Sequence, residues 1–92
     1  MKEKLPELMK RNAVIIDVRS PSEFSGGANS KSRNIPLDQL NEGSLHDISK
    51  DRPIILCCAS GMRSQMAVLV VKKMGFSEVY NGGPWMNTVC LE

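Results

Sequence analysis

Ile54-Ile55-Leu56-Cys57-Cys58-Ala59-Ser60-Gly61-Met62-Arg63-Ser64 is the stretch that decides the fold. Its apolar opening, Ile54–Cys57, reads as a buried strand, because β-branched side chains suit a pleated surface. Pro53 before it and Gly61 after it punctuate the run. From Ser64 onward the periodicity is helical. Met66, Val70 and Met74 fall on one face, with Ala67 and Val71 beside them. Gly75 is the stop, and Lys72 and Lys73 lie in the last turn, where cations suit the helix dipole. Cys58 therefore sits at a strand's end, ahead of a small-residue loop that opens a helix.

That position has a chemical consequence. Successive backbone N–H groups in such a turn form an anion-binding concavity, and the helix N-terminus adds positive potential. A thiol there gives up its proton more readily than a free cysteine. Arg63 adds a fixed positive charge and a planar fork of donors for an oxyanion. Together these residues describe an activated sulfur nucleophile, with Cys58 as the catalytic residue. Cys57, inside the apolar run, reads as an inert core thiol. Neighbouring side chains on a strand point to opposite faces, which argues against a Cys57–Cys58 bond.

Working outward, Ala13–Val18 is the next clear strand, near-continuously apolar as in a sheet covered on both faces. Ser20, Pro21 and Glu23 then read as N-cap, first helical position and the third residue after the cap. Asp17, Arg19 and Glu23 are charges at a strand–helix junction, expected to cap, pair and position the loop. Lys4–Lys10 reads as a first short helix, and the polar Gly26–Arg33 as a loop. Asn34–Leu37 looks like a short strand running into a turn. Leu37–Leu40 and Leu45–Ile48 are brief helical pieces on either side of Gly43, and His46 among them is a surface or partly packed residue. Val79–Tyr80 is a last short strand, Asn81–Pro84 its turn, and Trp85 a packing anchor that begins a short final helix. Strands alternating with helices predict an α/β domain, mostly parallel, with helices on both faces. In such sheets ligands bind at the carboxyl ends of the strands. Cys58 and the segments after Val18 and Tyr80 are thus expected to line one mouth.

A chain of 92 residues is expected to form one domain, 1–92. Its net charge of +2 is spread along the chain with no basic run or aromatic platform, so no nucleic-acid partner is expected. Three cysteines without a Cys-x-x-Cys, and one histidine, give neither a disulfide framework nor a metal site. No apolar run reaches membrane-spanning length. Met1–Lys10 lacks the apolar core of a secretory signal, so a reduced cytoplasm is the expected setting, a removed export leader being the alternative. Leu91–Glu92 reads as a cloning remnant.

Cys58-Ala59-Ser60-Gly61-Met62-Arg63-Ser64 resembles the active-site loop of rhodanese-type sulfurtransferases, Cys-x-x-Gly-x-Arg-Ser. Ile16–Phe24, with Asp17-Val18-Arg19 and Glu23-Phe24, is similar to the family's early segment, and Asn34-Ile35-Pro36 to its Asn-Ile-Pro. Gly75-Phe76, Val79, Gly82-Gly83 and Trp85 look like its closing pattern. The ordered set runs from about Val14 to Trp85. One segment departs: Ala28, Asn29 and Lys31 stand where the family has His, Ile and Gly.

The resemblance implies a sheet of about five strands with the cysteine loop at its edge. It also implies a two-step sulfur transfer. The Cys58 thiolate takes sulfur from an anionic donor, thiosulfate foremost, and passes it to cyanide, a cellular thiol or a protein acceptor. The loop N–H groups from Ala59 through Ser64 hold the persulfide, Arg63 orients the donor, and Ser60 and Ser64 offer hydroxyls. Met62 belongs to the same loop. Asp17, Arg19 and Glu23 support the architecture, no cofactor is needed, and a monomer is expected. Two alternatives stay open. One is a persulfide carrier or interaction module in sulfur trafficking. The other is a phosphatase or arsenate reductase, against which the four residues Ala59–Met62 between Cys58 and Arg63 make a narrow cradle.

Overall fold

Four runs of the chain become strands in the computed structural model, which describes residues 2–91. They are β1 (Val14–Asp17), β2 (Arg33–Asn34), β3 (Ile54–Cys58) and β4 (Val79–Pro84). All pair in parallel, in the order β2-β1-β3-β4. The sheet thus has four strands rather than about five. The polar Gly26–Arg33 loop leaves only two residues to β2, and the chain between β2 and β3 coils into single 3-10 turns at Leu37–Gln39 and Gly43–Leu45. Met1 and Glu92 lie outside the described residues, so only Leu91 of the terminal pair is seen.

Three α-helices flank the sheet: α1 (Leu5–Lys10), α2 (Pro21–Ser25) and α3 (Met62–Lys73). Strand alternation sorts the side chains between two cores. Val14, Ile16 and Val18 of the first strand segment join Ile54, Leu56 and Cys58 on one face, against Ala67, Val68 and Val71 of α3, Phe76, Leu40, Leu45 and Ile48. Ala13, Ile15, Ile55 and Cys57 face the other way, onto Leu5 and Leu8 of α1, with Trp85 and Leu91 of the closing 3-10 segment beside them. Helical layers on both faces are therefore present.

The facing of α3 differs from the expected one. Ser64, Ala67, Val68 and Val71 are buried, while Met66 is 61% exposed and Val70 37%. Positions 66–71 are all apolar, so periodicity could not choose a face. The sheet takes the small and β-branched side chains, which permit close approach, and leaves the long thioethers of Met62 and Met66 outside.

The closing strand is also longer than Val79–Tyr80, and the Asn81–Pro84 turn is instead strand. Leu56 pairs with Asn81 but Cys57 with Gly83, so Gly82 is an extra residue in an irregular register. A Cβ on Gly82 would come within 2.9 Å of Ile55 Cγ2 and 3.3 Å of the Leu56 carbonyl, so only glycine fits that approach. Pro84 is tolerated because β4 is an edge strand.

The chain leaves β1 toward β2 on one side and β3 toward β4 on the other. Their carboxyl ends diverge into a crevice, the usual ligand position in open parallel sheets. Among the described residues no helix is long and apolar enough to cross a membrane.

Candidate active site

β3 delivers Cys58 to the crevice as its last residue. The following turn closes over it because Gly61 adopts φ 101°, the left-handed region that favours glycine, and caps α3. The turn aims backbone N–H groups at the sulfur. Gly61 N–H donates to Cys58 Sγ at 2.9 Å and Ser64 N–H at 3.4 Å. These are first-turn donors with no partner inside the helix, so a sulfur anion suits them. The thiol in turn donates to Ser64 Oγ at 3.5 Å.

Burial works against ionisation of Cys58. The Ser64 hydroxyl and the backbone N–H groups of Ser64, Gly61 and Ser60 favour the thiolate more strongly, and the thiol is held below its ordinary value. Cys57 shows the opposite balance. Burial foremost, then the Asp17 carboxylate, pushes its thiol up to about 12. One step along the strand separates a thiol held low from one pushed up.

Arg63 shares the turn, but its guanidinium reaches across to α2. Nη1 and Nη2 donate to the two carboxylate oxygens of Glu23 at 2.8 and 2.9 Å. Glu23 is held in place by the predicted capping box: Ser20 N–H donates to its Oε1 at 3.0 Å, and Glu23 N–H to Ser20 Oγ at 3.3 Å. The Arg63 pairing, helped by Ser20, lowers the Glu23 carboxyl to about 2.

Asp17 and Arg19 form a second, buried pair. Arg19 Nε lies 2.9 and 3.0 Å from the two Asp17 oxygens, and Nη2 2.7 Å from Oδ2. The same guanidinium donates to the carbonyls of Gly27 at 2.7 Å and Glu23 at 3.3 Å, and stacks on the Trp85 ring at 4.7 Å. Arg19 thus fastens α2 and the next loop to the sheet.

Of the expected site residues, the structure gathers Cys58, Gly61 and Ser64 around one sulfur. Ala59 and Ser60 are exposed, and Met62 faces solvent with its N–H on Ser60 Oγ at 3.4 Å rather than on the sulfur. The expectation of one mouth is corrected, because the cysteine loop divides the crevice. A cleft of about 280 Å³ on one side is lined by Val18, Ser20, Pro36, Leu37, Asp38 and Arg63. A wider one of about 640 Å³ on the other runs along Ser60, Gly61, Met62, Gln65, Met66, Asn81 and Gly83. Cys58 lines neither and is fully buried beneath the loop between them.

One contributor was missed from the sequence. Asn81 Oδ1 accepts from Ser64 Oγ at 2.6 Å, and Nδ2 donates to the Gly61 carbonyl at 3.2 Å. Reading Val79 onward as a longer strand would have placed this amide beside the loop. The departure at Asn29 also finds its reason. Its buried side chain donates to the Thr88 carbonyl at 2.6 Å and accepts from Lys31 N–H at 2.8 Å, so a polar knot replaces an apolar contact.

Known proteins resemble this chain in sequence and in fold. The profile of the rhodanese-like domain matches residues 1–83. The uncharacterized protein YqhL of Bacillus subtilis is 44% identical over 71 residues, 77% of this chain and 56% of that protein. The thiosulfate sulfurtransferase GlpE of Ectopseudomonas mendocina is 39% identical over 79 residues, 82% of this chain and 68% of that protein. Among solved structures, a rhodanese with anions from E. coli superposes with a TM-score of 0.75 at 26% identity, covering 82% of this chain and 89% of the other. The chain spans little more than half of YqhL and about two thirds of GlpE. With a parallel sheet, a cysteine at the end of its central strand and a loop of amides over the sulfur, this chain belongs to the rhodanese-like domain family.

Proposed function

We propose that the protein is a sulfurtransferase that carries sulfane sulfur on Cys58, with thiosulfate as a donor. The supporting observation is the sulfur's setting, with Gly61 and Ser64 N–H groups at 2.9 and 3.4 Å. In the first step the Cys58 thiolate attacks the outer sulfur of thiosulfate. The S–S bond to the sulfonate sulfur breaks, sulfite leaves with the bonding pair, and a Cys58 persulfide anion remains. In the second step cyanide or a thiolate attacks the outer persulfide sulfur, and the Cys58 thiolate leaves. The N–H groups that hold the resting sulfur also suit the persulfide charge. Arg63 has five N–H groups, of which Glu23 takes two, and it borders the smaller cleft where donor oxygens would lie. A reducing compartment such as the cytoplasm fits three free thiols.

The test is a mass measurement. Incubation with thiosulfate adds one sulfur to the protein, and Cys58→Ser abolishes the gain. Cyanide then removes the sulfur as thiocyanate. A wild-type protein that takes up no sulfur refutes the proposal. The complete cover over Cys58 favours a second reading, a carrier that yields sulfur only to a protein partner. Persulfide formation without cyanide turnover distinguishes it.

A further inference from the structure

Asn81 makes four hydrogen bonds whose directions follow from their partners. Gly83 N–H donates to Oδ1 at 2.8 Å, which identifies that atom as the oxygen. Nδ2 donates to the Gly61 carbonyl at 3.2 Å and to Gln65 Oε1 at 3.1 Å. The Ser64 hydroxyl, 2.6 Å from Oδ1, is therefore the donor in that contact. A hydroxyl has one proton, and the Gly61 carbonyl at 3.1 Å is its second, longer acceptor. While it points at Asn81, a lone pair faces Cys58 Sγ at 3.5 Å and receives the thiol proton. Ionisation of the thiol leaves that lone pair against a negative sulfur. Turning the hydroxyl toward Sγ then replaces one hydrogen bond by another, and Asn81 Oδ1 keeps the Gly83 N–H. The only proton lost is the thiol's, to solvent.

We propose that Asn81 is a positioning residue that holds the Ser64 proton while Cys58 is neutral and yields it to the sulfur on ionisation. The strength of its grip sets the pH at which the nucleophile forms. Few charges compete for this control. On α3 the nearby charge is Arg63, held by Glu23 of α2. Asp17 on β1 is paired with Arg19, and Asp38 lies in the cleft beside Arg63. Cys57 and the ionisable residue of β4, Tyr80, pack on the opposite face of the sheet.

The inference rests on Cys58 being the nucleophile, but its test needs no sulfur donor. Ionisation of Cys58 is followed across a pH series by the ultraviolet absorbance of its thiolate, taken as the difference from a Cys58→Ser protein in the same background, because the buried sulfur is closed to alkylating reagents. Asn81→Asp holds the Ser64 proton harder and adds a negative charge. Its midpoint moves up by about one pH unit, which is about tenfold less thiolate near neutrality. Asn81→Ala removes the shorter of the two acceptors and leaves the hydroxyl only the longer Gly61 carbonyl, so its midpoint moves down. In a Ser64→Ala background the Asn81→Ala shift disappears. General loosening of the loop would drive both variants the same way. The proposal is overturned if Asn81→Ala leaves the midpoint in place or raises it, or if its shift persists without the Ser64 hydroxyl. Should Asn81→Asp fail to fold, judged by thermal melting, the Asn81→Ala and Ser64→Ala comparison decides alone. Midpoints that move as described in a protein that takes up no sulfur refute the sulfurtransferase proposal and not this one.

Discussion

Arg19 is 4% exposed and its charge is met by Asp17, so the pair lives or dies together. Removing one partner of a buried ion pair strands the other, at a cost of about 3 kcal/mol or more. Asp17→Ala is expected to lower stability by that amount in urea unfolding, with the transition slope preserved. Asp17→Leu combined with Arg19→Met should recover much of the loss, because no charge is then stranded. That Asp17 and Arg19 pair and Glu23 joins a capping box was legible from their place at a strand–helix junction. The partner of Arg63 was not. Glu23 lies forty residues away, and such a contact exists only once β1 and β3 pair.

At the scale of elements, α3 offers a comparison between neighbours. Val71 is fully buried against the sheet and Val70 is 37% exposed. Val71→Ala is expected to cost about 2 kcal/mol and Val70→Ala under about 0.5 kcal/mol, measured by the same unfolding method. Equal losses would contradict the facing of the helix. The existence of α3 and its stop at Gly75 could be read from the chain, since cap and charge signals are local. Its orientation could not, because an all-apolar stretch contains no contrast. The strand through Asn81-Gly82-Gly83-Pro84 was hidden for a related reason. Asparagine, glycine and proline usually mark turns, and here sheet pairing and a bulge at an edge override that preference.

For the whole molecule, the Glu23–Arg63 pair ties α2 to α3 across the crevice, and its pH dependence has a definite sign. The Glu23 carboxyl falls from an ordinary 4.5 to about 2 in the folded chain. Folding therefore favours its ionised form, and the stabilisation is complete above the unfolded value. It is lost as pH falls from about 4.5 toward 2. Melting temperatures of wild type and Glu23→Gln should differ at neutral pH and converge toward the acid end of that window. Parallel curves would show that the pair does not contribute. The parallel α/β layout and the position of Cys58 were both readable, because alternation of strand and helix fixes them together. The division of the crevice into two clefts needed the loop's three-dimensional path.

Cys57 and Cys58 occupy successive positions on β3, and the sheet sends one to each core. Which sulfur meets the amides of the loop is thus a matter of parity. A slip of one residue in the pairing of β3 would exchange the two thiols without altering the composition of the chain. The extra residue at Gly82, which admits no side chain beside Ile55, falls at the Leu56–Cys57 step of that pairing. The irregularity at the rim of the sheet thus lies beside the step at which the two thiols part to opposite layers.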